Sequence, residues 1–115
     1  MLTKVNRLTR TKEFDNTFKK GRSSYDKNLG VKFVINGLHY NKFGIIINNK
    51  VSKKAVIRNK IRRQIRQVIK QQENNLKLGN DVIVVVLPES VKVSFKEIEV
   101  SVLNNFKKLK LLNSN

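Results

Sequence analysis

Residues 53 to 70 alternate apolar and basic side chains at a spacing that fits one kind of element, a helix with two unlike faces. At ~100° per residue, Ile57, Ile61, Ile65, Val68 and Ile69 share an arc of about 120°. Asn59, Lys60, Arg62, Arg63, Arg66, Gln67 and Lys70 fill the opposite side, and Arg58 borders the apolar arc. The isoleucine side must be laid on a sheet or on other helices, so the chain has to build a core around it. Every charge on the polar side is positive. Eight residues between Lys53 and Lys70 are basic and none is acidic, and no Asp or Glu occurs from Lys27 through Gln72.

The rest of the chain supplies what that helix needs. Thr11 to Lys20 has helical spacing, with Thr11 as a cap, Glu13 and Asp15 in the first turn and Gly21 as a stop. Leu29 to Ile35 alternates and is β-rich, Asn36-Gly37 reads as a turn, and Lys42 to Ile47 reads as the next strand, antiparallel to the first. Asn48 to Ser52 forms a loop. The basic helix is expected from about Lys53 to Leu78, capped by Ser52 and ended by Gly79. Asp81 to Leu87 is short and continuously apolar, which predicts a strand covered on both faces and stopped by Pro88. Ser94-Phe95-Lys96-Glu97 is a capping box, and Phe95, Ile98, Val102, Phe106 and Leu109 give a last amphipathic helix. Residues 113–115 are expected to fray. The order α-β-β-α-β-α predicts an α/β (α+β) two-layer sandwich in one domain, residues 1–115, with its sheet covered by helices.

Charge and composition set the partner class. Lys and Arg number 25 against 8 Asp and Glu, a net charge of +17. Self-repulsion of that size costs stability and is usually kept for a polyanion, with nucleic acid first. An exposed helix face that is merely solvated carries mixed signs and Glu–Lys pairs. Here Arg58, Arg62 and Arg66 stack at i,i+4 with no acid beside them. Arginine binds phosphate through a planar fork and stacks on bases, and Asn59 among these charges is able to read a 2′-hydroxyl or a base edge. With no cysteine, disulfide frameworks and thiolate metal sites are excluded. No apolar run approaches the ~20 residues that span a bilayer, and Met1 to Leu8 has no apolar segment of a signal peptide. The expected location is the cytoplasm.

Phe14 and Phe18 lie four apart on one helix face. Two aromatics at that spacing are more often core; the functional reading is a stacking platform for unpaired bases. His39 is the single histidine and reads as a surface residue. No zinc-type cluster, phosphate loop or nucleophile–base set is present, so catalytic residues are not expected in the protein, and neither is a metal site.

At this point the order of residues becomes specific. Ala55-Val-Ile-Arg58-Asn59-Lys60-Ile61-Arg62-Arg63-Gln64-Ile65-Arg66 resembles the signature of the bacterial ribonuclease P protein component, an Arg-Asn-Arg-x-Lys-Arg helix. Asn6-Arg7-Leu8, then Phe14 and Phe18 with Gly21 and Ser23, is similar to that family's N-terminal helix and turn, and Gly44 and Lys50 stand in its Gly-x-x-x-x-Lys-Lys segment. The likeness spans about residues 6–110. It implies the family's topology, including a left-handed β-α-β crossover. It also implies the protein half of a ribonucleoprotein endonuclease whose RNA half carries the catalytic Mg²⁺ and cuts precursor tRNA to give the mature 5′ end.

Carried onto this chain, the resemblance places Phe14, Phe18 and the strand position held by Lys32 in a cleft for the single-stranded 5′ leader. It makes Arg58, Asn59, Lys60, Arg62, Arg63 and Arg66 the helix facing the catalytic RNA, with Lys50, Lys53 and Lys54 extending its approach. Partners are then the ribonuclease P RNA and precursor tRNA, with no membrane and no obligate protein partner. The chain departs from the pattern in several places. Lys60 stands where Arg is usual, Arg62 where Lys is usual, and Asn49 where the first Lys of a pair is expected. Asp26-Lys27 replaces a usual Asn-Arg, and Lys32 takes a position that often carries an aromatic. The resemblance therefore implies a cleft resting more on charge and less on stacking. Two other readings share the charge and size: a structural RNA-binding protein such as a ribosomal protein, and a membrane-surface binder using the basic amphipathic helix.

Overall fold

In the computed structural model, residues 7–8 and 11–113 are described. Four strands make one sheet: β1 (Arg22–Tyr25), β2 (Leu29–Ile35), β3 (Lys42–Ile46) and β4 (Asn80–Val86), in the order β1-β2-β4-β3. The apolar run near the C-terminus takes an interior place as β4, where only Val85 is left partly exposed. β2 pairs with it antiparallel, from Leu29 opposite Val86 to Ile35 opposite Asn80, and β3 pairs with it parallel. The strands at 29–35 and 42–46 thus run in opposite senses, as expected, but are not partners. The most apolar strand fills the place between them, hydrogen-bonded on both edges. Residues 36–41 step across it, a gap of about 10 Å at ~4.8 Å per strand.

Three helices dress this sheet: α1 (Thr11–Lys20), α2 (Ala55–Gln72) and α3 (Phe95–Lys108). Ile61, Ile65, Val68 and Ile69 of α2 and Ile98, Val102 and Phe106 of α3 are buried in one core with Val31, Val82, Val84 and Val86. Alternation along the strands puts Lys32, Ile83, Val85, Gly44 and Ile46 on the other face, where α1 lies. No helix among the described residues is long and apolar enough to cross a membrane.

Several element ends differ from expectation, each for a local reason. Thr11 is the first residue of α1 itself. Gly21 does stop α1, through close approach: a Cβ there would sit 2.3 Å from the Thr17 carbonyl oxygen and 2.7 Å from that of Phe33. Helix α2 starts at Ala55 after Lys54, and the Ser52 hydroxyl accepts from the Lys54 amide at 3.2 Å, a turn stabiliser ahead of the helix. α2 ends at Gln72 because the chain then turns through Glu73–Asn75 to pair Leu76 with Leu112. Gly79, at φ +91°, makes the turn into β4 instead of ending the helix. That same pairing holds Asn113, expected to fray, whose amide donates to the Asn75 carbonyl at 2.6 Å; residues 114–115 and Asn6 lie outside the described residues. Strand β1 has no counterpart in the order expected from sequence. The α3 capping box is present in its first half, with the Ser94 hydroxyl accepting from the Glu97 amide at 3.2 Å.

Candidate nucleic-acid interface

Burying the isoleucine side of α2 turns its basic side outward. Asn59, Lys60, Arg63 and Lys70 are exposed, and Arg58, Arg62 and Arg66 are half-buried. No acid stands in the first turn, and among the described residues no ion pair engages Arg58, Arg62, Arg63 or Arg66. Lys70 does pair, with Glu73 at 3.2 Å. The arginines are held in place by neutral acceptors. Arg58 donates to the Ser52 carbonyl at 2.8 Å, fixing the turn that leads into the helix, and Arg62 donates to Asn59 Oδ1 at 2.7 Å. Burial, and then the charges of Arg7 and Arg62, push the Arg66 guanidinium below its ordinary value. Cations crowded without carboxylates are what a phosphate-binding surface needs. Arg63, Arg66, Gln67 and Lys70 line a shallow cavity of about 210 Å³ on this side.

On the opposite sheet face Ile83 is fully buried beneath α1, while Lys32 is left half-buried. Phe14 and Phe18 are not part of the buried core cluster. Phe14 rests on Gly44, where a Cβ would come within 2.6 Å of its ring, so the glycine is what lets α1 sit this close to β3. Phe18 is 39 % exposed, and the Lys32 ammonium stands 5.1 Å from its ring centroid, a cation–π distance. Half-buried Val85 and Ile46 floor the space beside them. Lys42 of β3 bridges to Glu13 of α1 at 2.8 Å, and that hydrogen bond raises the Lys42 ammonium above its ordinary value, tying helix to sheet.

The two surfaces meet at the β3 edge. Arg7, bridged to Phe43, and Leu8, whose amide donates to the Phe43 carbonyl at 2.8 Å, run beside that strand. Arg7, Leu8, Phe14, Gly44 and Arg66 line one depression of about 130 Å³. Arg66 of the basic helix and Phe14 of the aromatic helix thus border the same space. Of the residues singled out from sequence, Phe14, Phe18 and Lys32 come together on one face, and Arg58, Asn59, Lys60, Arg62, Arg63 and Arg66 share the outer side of α2. Lys50, Lys53 and Lys54 are exposed on the loop entering α2. Sequence reasoning missed the contribution of Arg7 to the depression shared with Phe14 and Arg66. Its signal was membership of the Asn6-Arg7-Leu8 stretch noted for its family likeness, which says nothing of where the side chain lies. It also missed Tyr25, whose strand is too short and polar to announce itself.

A basic helix and an aromatic, sheet-floored cleft meeting on a small α+β domain define a single-domain RNA-binding protein. The family model described as Ribonuclease P matches residues 2–110. The chain belongs to the ribonuclease P protein family. It is 34 % identical over 110 residues to the ribonuclease P protein component of Alkaliphilus oremlandii, with 96 % of each chain covered. It is equally 34 % identical over 115 residues to that of Syntrophomonas wolfei, covering all of this chain and 96 % of the relative. Among solved structures it is similar to the RNase P protein of Staphylococcus aureus, with TM-score 0.87, 28 % identity and coverage of 94 % and 98 %. The protein from Thermotoga maritima is similar too, with TM-score 0.77, 28 % identity and coverage of 85 % and 92 %.

Proposed function

We propose that the outer side of α2 docks on the catalytic RNA while the face between α1 and the sheet holds the 5′ leader of precursor tRNA. As a family member the chain serves as the protein subunit of ribonuclease P, the RNA-based enzyme of tRNA processing, and the ribonuclease P RNA is its partner. The observation that carries the two-surface reading is the shared depression lined by Arg66 and Phe14. A strand leaving the catalytic centre beside α2 would pass directly onto the aromatic face. In the proposed roles Arg58, Arg62, Arg63 and Arg66 fork onto phosphates, Lys60, Lys50, Lys53 and Lys54 add diffuse positive charge, and Asn59 reads a sugar or base edge. Phe14 and Phe18 stack leader bases, and Lys32 meets a leader phosphate.

Among the described residues no group of three or more His, Cys, Asp or Glu comes together. We place the Mg²⁺ mainly on the RNA subunit and substrate. The protein acts by neutralising phosphate repulsion between the two RNAs, which raises Mg²⁺ affinity indirectly. The site of action is the cytoplasm.

The test replaces Phe14 and Phe18 together by Ala in the reconstituted holoenzyme. Affinity for precursor tRNA is expected to fall by about 1–3 kcal/mol for each base that no longer stacks, with affinity for mature tRNA unchanged. Equal losses on both RNAs would sink the leader-cleft assignment.

A further inference from the structure

Lys32 occupies a position where an aromatic would stack on the leader, and it leans on Phe18. The aromatic surface absent there returns one strand over. In the β1–β2 ladder Ser23 stands opposite Lys32 and Tyr25 opposite Gly30. Directly paired residues project to the same face, so Tyr25 shares the face of Lys32, Phe18 and Val85. The Tyr25 ring lies against the Gly30 backbone: a Cβ on residue 30 would fall 2.1 Å from Cδ2, 2.2 Å from Cε2 and 2.6 Å from Cγ. Any side chain at 30 would lift the ring. Tyr25 nonetheless remains 44 % exposed. One side of the ring is seated and the other is open.

The seat is rigid. Asp26 Oδ1 accepts from the amides of Asn28 at 2.8 Å and Leu29 at 3.0 Å, closing the β1–β2 turn. The Ser24 hydroxyl donates to Asn105 Oδ1 of α3 at 2.7 Å, and Asn28 Nδ2 donates to the Ser101 hydroxyl at 3.0 Å. The hairpin that carries Tyr25 is pinned from behind, so stacking on the ring costs little ordering entropy.

We propose that Tyr25 is a base-stacking residue of the leader cleft, supplied from β1 in place of an aromatic at position 32, and that Gly30 is the residue that makes room for it. This rests on the reading of that face as the leader cleft. Gly30 and Lys32 are two residues apart on β2, about 7 Å. The sequence of groups across the sheet is then aromatic, cation, aromatic. Phe18 and Tyr25 each offer a ring to a base, and Lys32 between them meets the intervening phosphate.

The plain alternative is an edge-strand aromatic that merely covers a glycine, which stabilises the hairpin and does nothing else. Precursor-tRNA binding by the holoenzyme, with leaders lengthened one nucleotide at a time, separates the two. For Tyr25→Ala we expect a loss of about 5- to 150-fold that appears only once the leader is long enough to reach β1. Mature tRNA should bind as before. Tyr25→Phe should behave as wild type, and Gly30→Ala should reproduce the loss. Tyr25→Leu keeps apolar cover over Gly30 without a ring face, so it serves if the alanine variant folds poorly. In a Tyr40→Phe background Tyr25 is the one tyrosine left in a chain without Trp, and long leaders should quench its fluorescence while mature tRNA does not. A loss shared by mature and precursor tRNA, or none at any leader length, overturns the proposal. The Phe14/Phe18 double variant, measured in parallel, tells which idea failed. If it loses leader-dependent binding while Tyr25→Leu does not, the Tyr25 role alone falls. If neither shows leader dependence, the cleft reading falls with it.

Discussion

The charge on α2 makes a quantitative demand that a triple substitution, Arg62→Gln with Arg63→Gln and Arg66→Gln, puts to the test. Arg58 is left in place because it holds the Ser52 carbonyl, and Lys70 because it is already paired with Glu73. Each phosphate that the variant leaves unneutralised lowers the slope of log affinity against log salt by about 0.7–0.9, so three of them flatten it by about 2–3. Between 50 and 200 mM salt, wild type should lose about 20- to 40-fold more affinity for the ribonuclease P RNA than the variant does. Folding should not suffer. Like-charged neighbours at i,i+4 cost ~0.2–0.5 kcal/mol each, and the substitution relieves Arg58–Arg62, Arg62–Arg66 and Arg66–Lys70. Stability in urea should therefore hold or rise by up to about 1.5 kcal/mol. The assay is a salt titration of RNA binding at fixed Mg²⁺, followed by anisotropy of labelled RNA. Parallel slopes for wild type and variant would refute the assignment of these arginines to phosphate, because the cations would then be solvated whether or not RNA is bound.

Gly44→Ala should destabilise by about 1–3 kcal/mol through overpacking against the Phe14 ring, and the penalty should vanish in a Phe14→Ala background; urea midpoints of the four proteins close the cycle. The Lys42–Glu13 bridge should show its own pH signature. Because the folded state raises the Lys42 value, its contribution is fully present below the ordinary lysine value of 10.5 and is lost as pH rises through the raised one. Wild type should thus exceed Lys42→Met in stability at neutral pH and converge on it in strong alkali, as read from urea midpoints at both ends.

The legible parts of the chain were those where periodicity and chemistry coincide. The five apolar positions of α2 pointed one way, so spacing alone assigned its cationic side. The apolar run at 82–87 foretold a strand covered on both faces, which β4 is apart from half-exposed Val85. Pairing was less accessible. Nothing in Leu29–Ile35 or Lys42–Ile46 says that a strand some 35 residues later will stand between them, because a short turn between two strands ordinarily makes a hairpin. The α2 boundary at Gln72 depends on Leu112, a partner remote in sequence. At the site, Phe14 and Phe18 were visible as a pair, but their freedom from the core depends on Gly44 and Lys32, residues of two other strands. Tyr25 was invisible for the same reason: its meaning comes from Gly30 across a ladder that the four residues Arg22–Tyr25 do not advertise.

The place of β4 also orders events in time. It is the last strand made, and both β2 and β3 need it as a partner. As the chain emerges, β1 and β2 have each other, but β3 has no ladder until residues 80–86 arrive, and closing a connection of that length is slow. In that interval the isoleucines of α2 have no sheet to lie on, and an 18-residue helix crowded with like charge is poorly stable alone. A polyanion that neutralises the helix removes the repulsion just when the apolar side contributes least. On the proposed docking of α2 the consequence is one of linkage: whatever binds only the finished helix stabilises the whole sheet behind it.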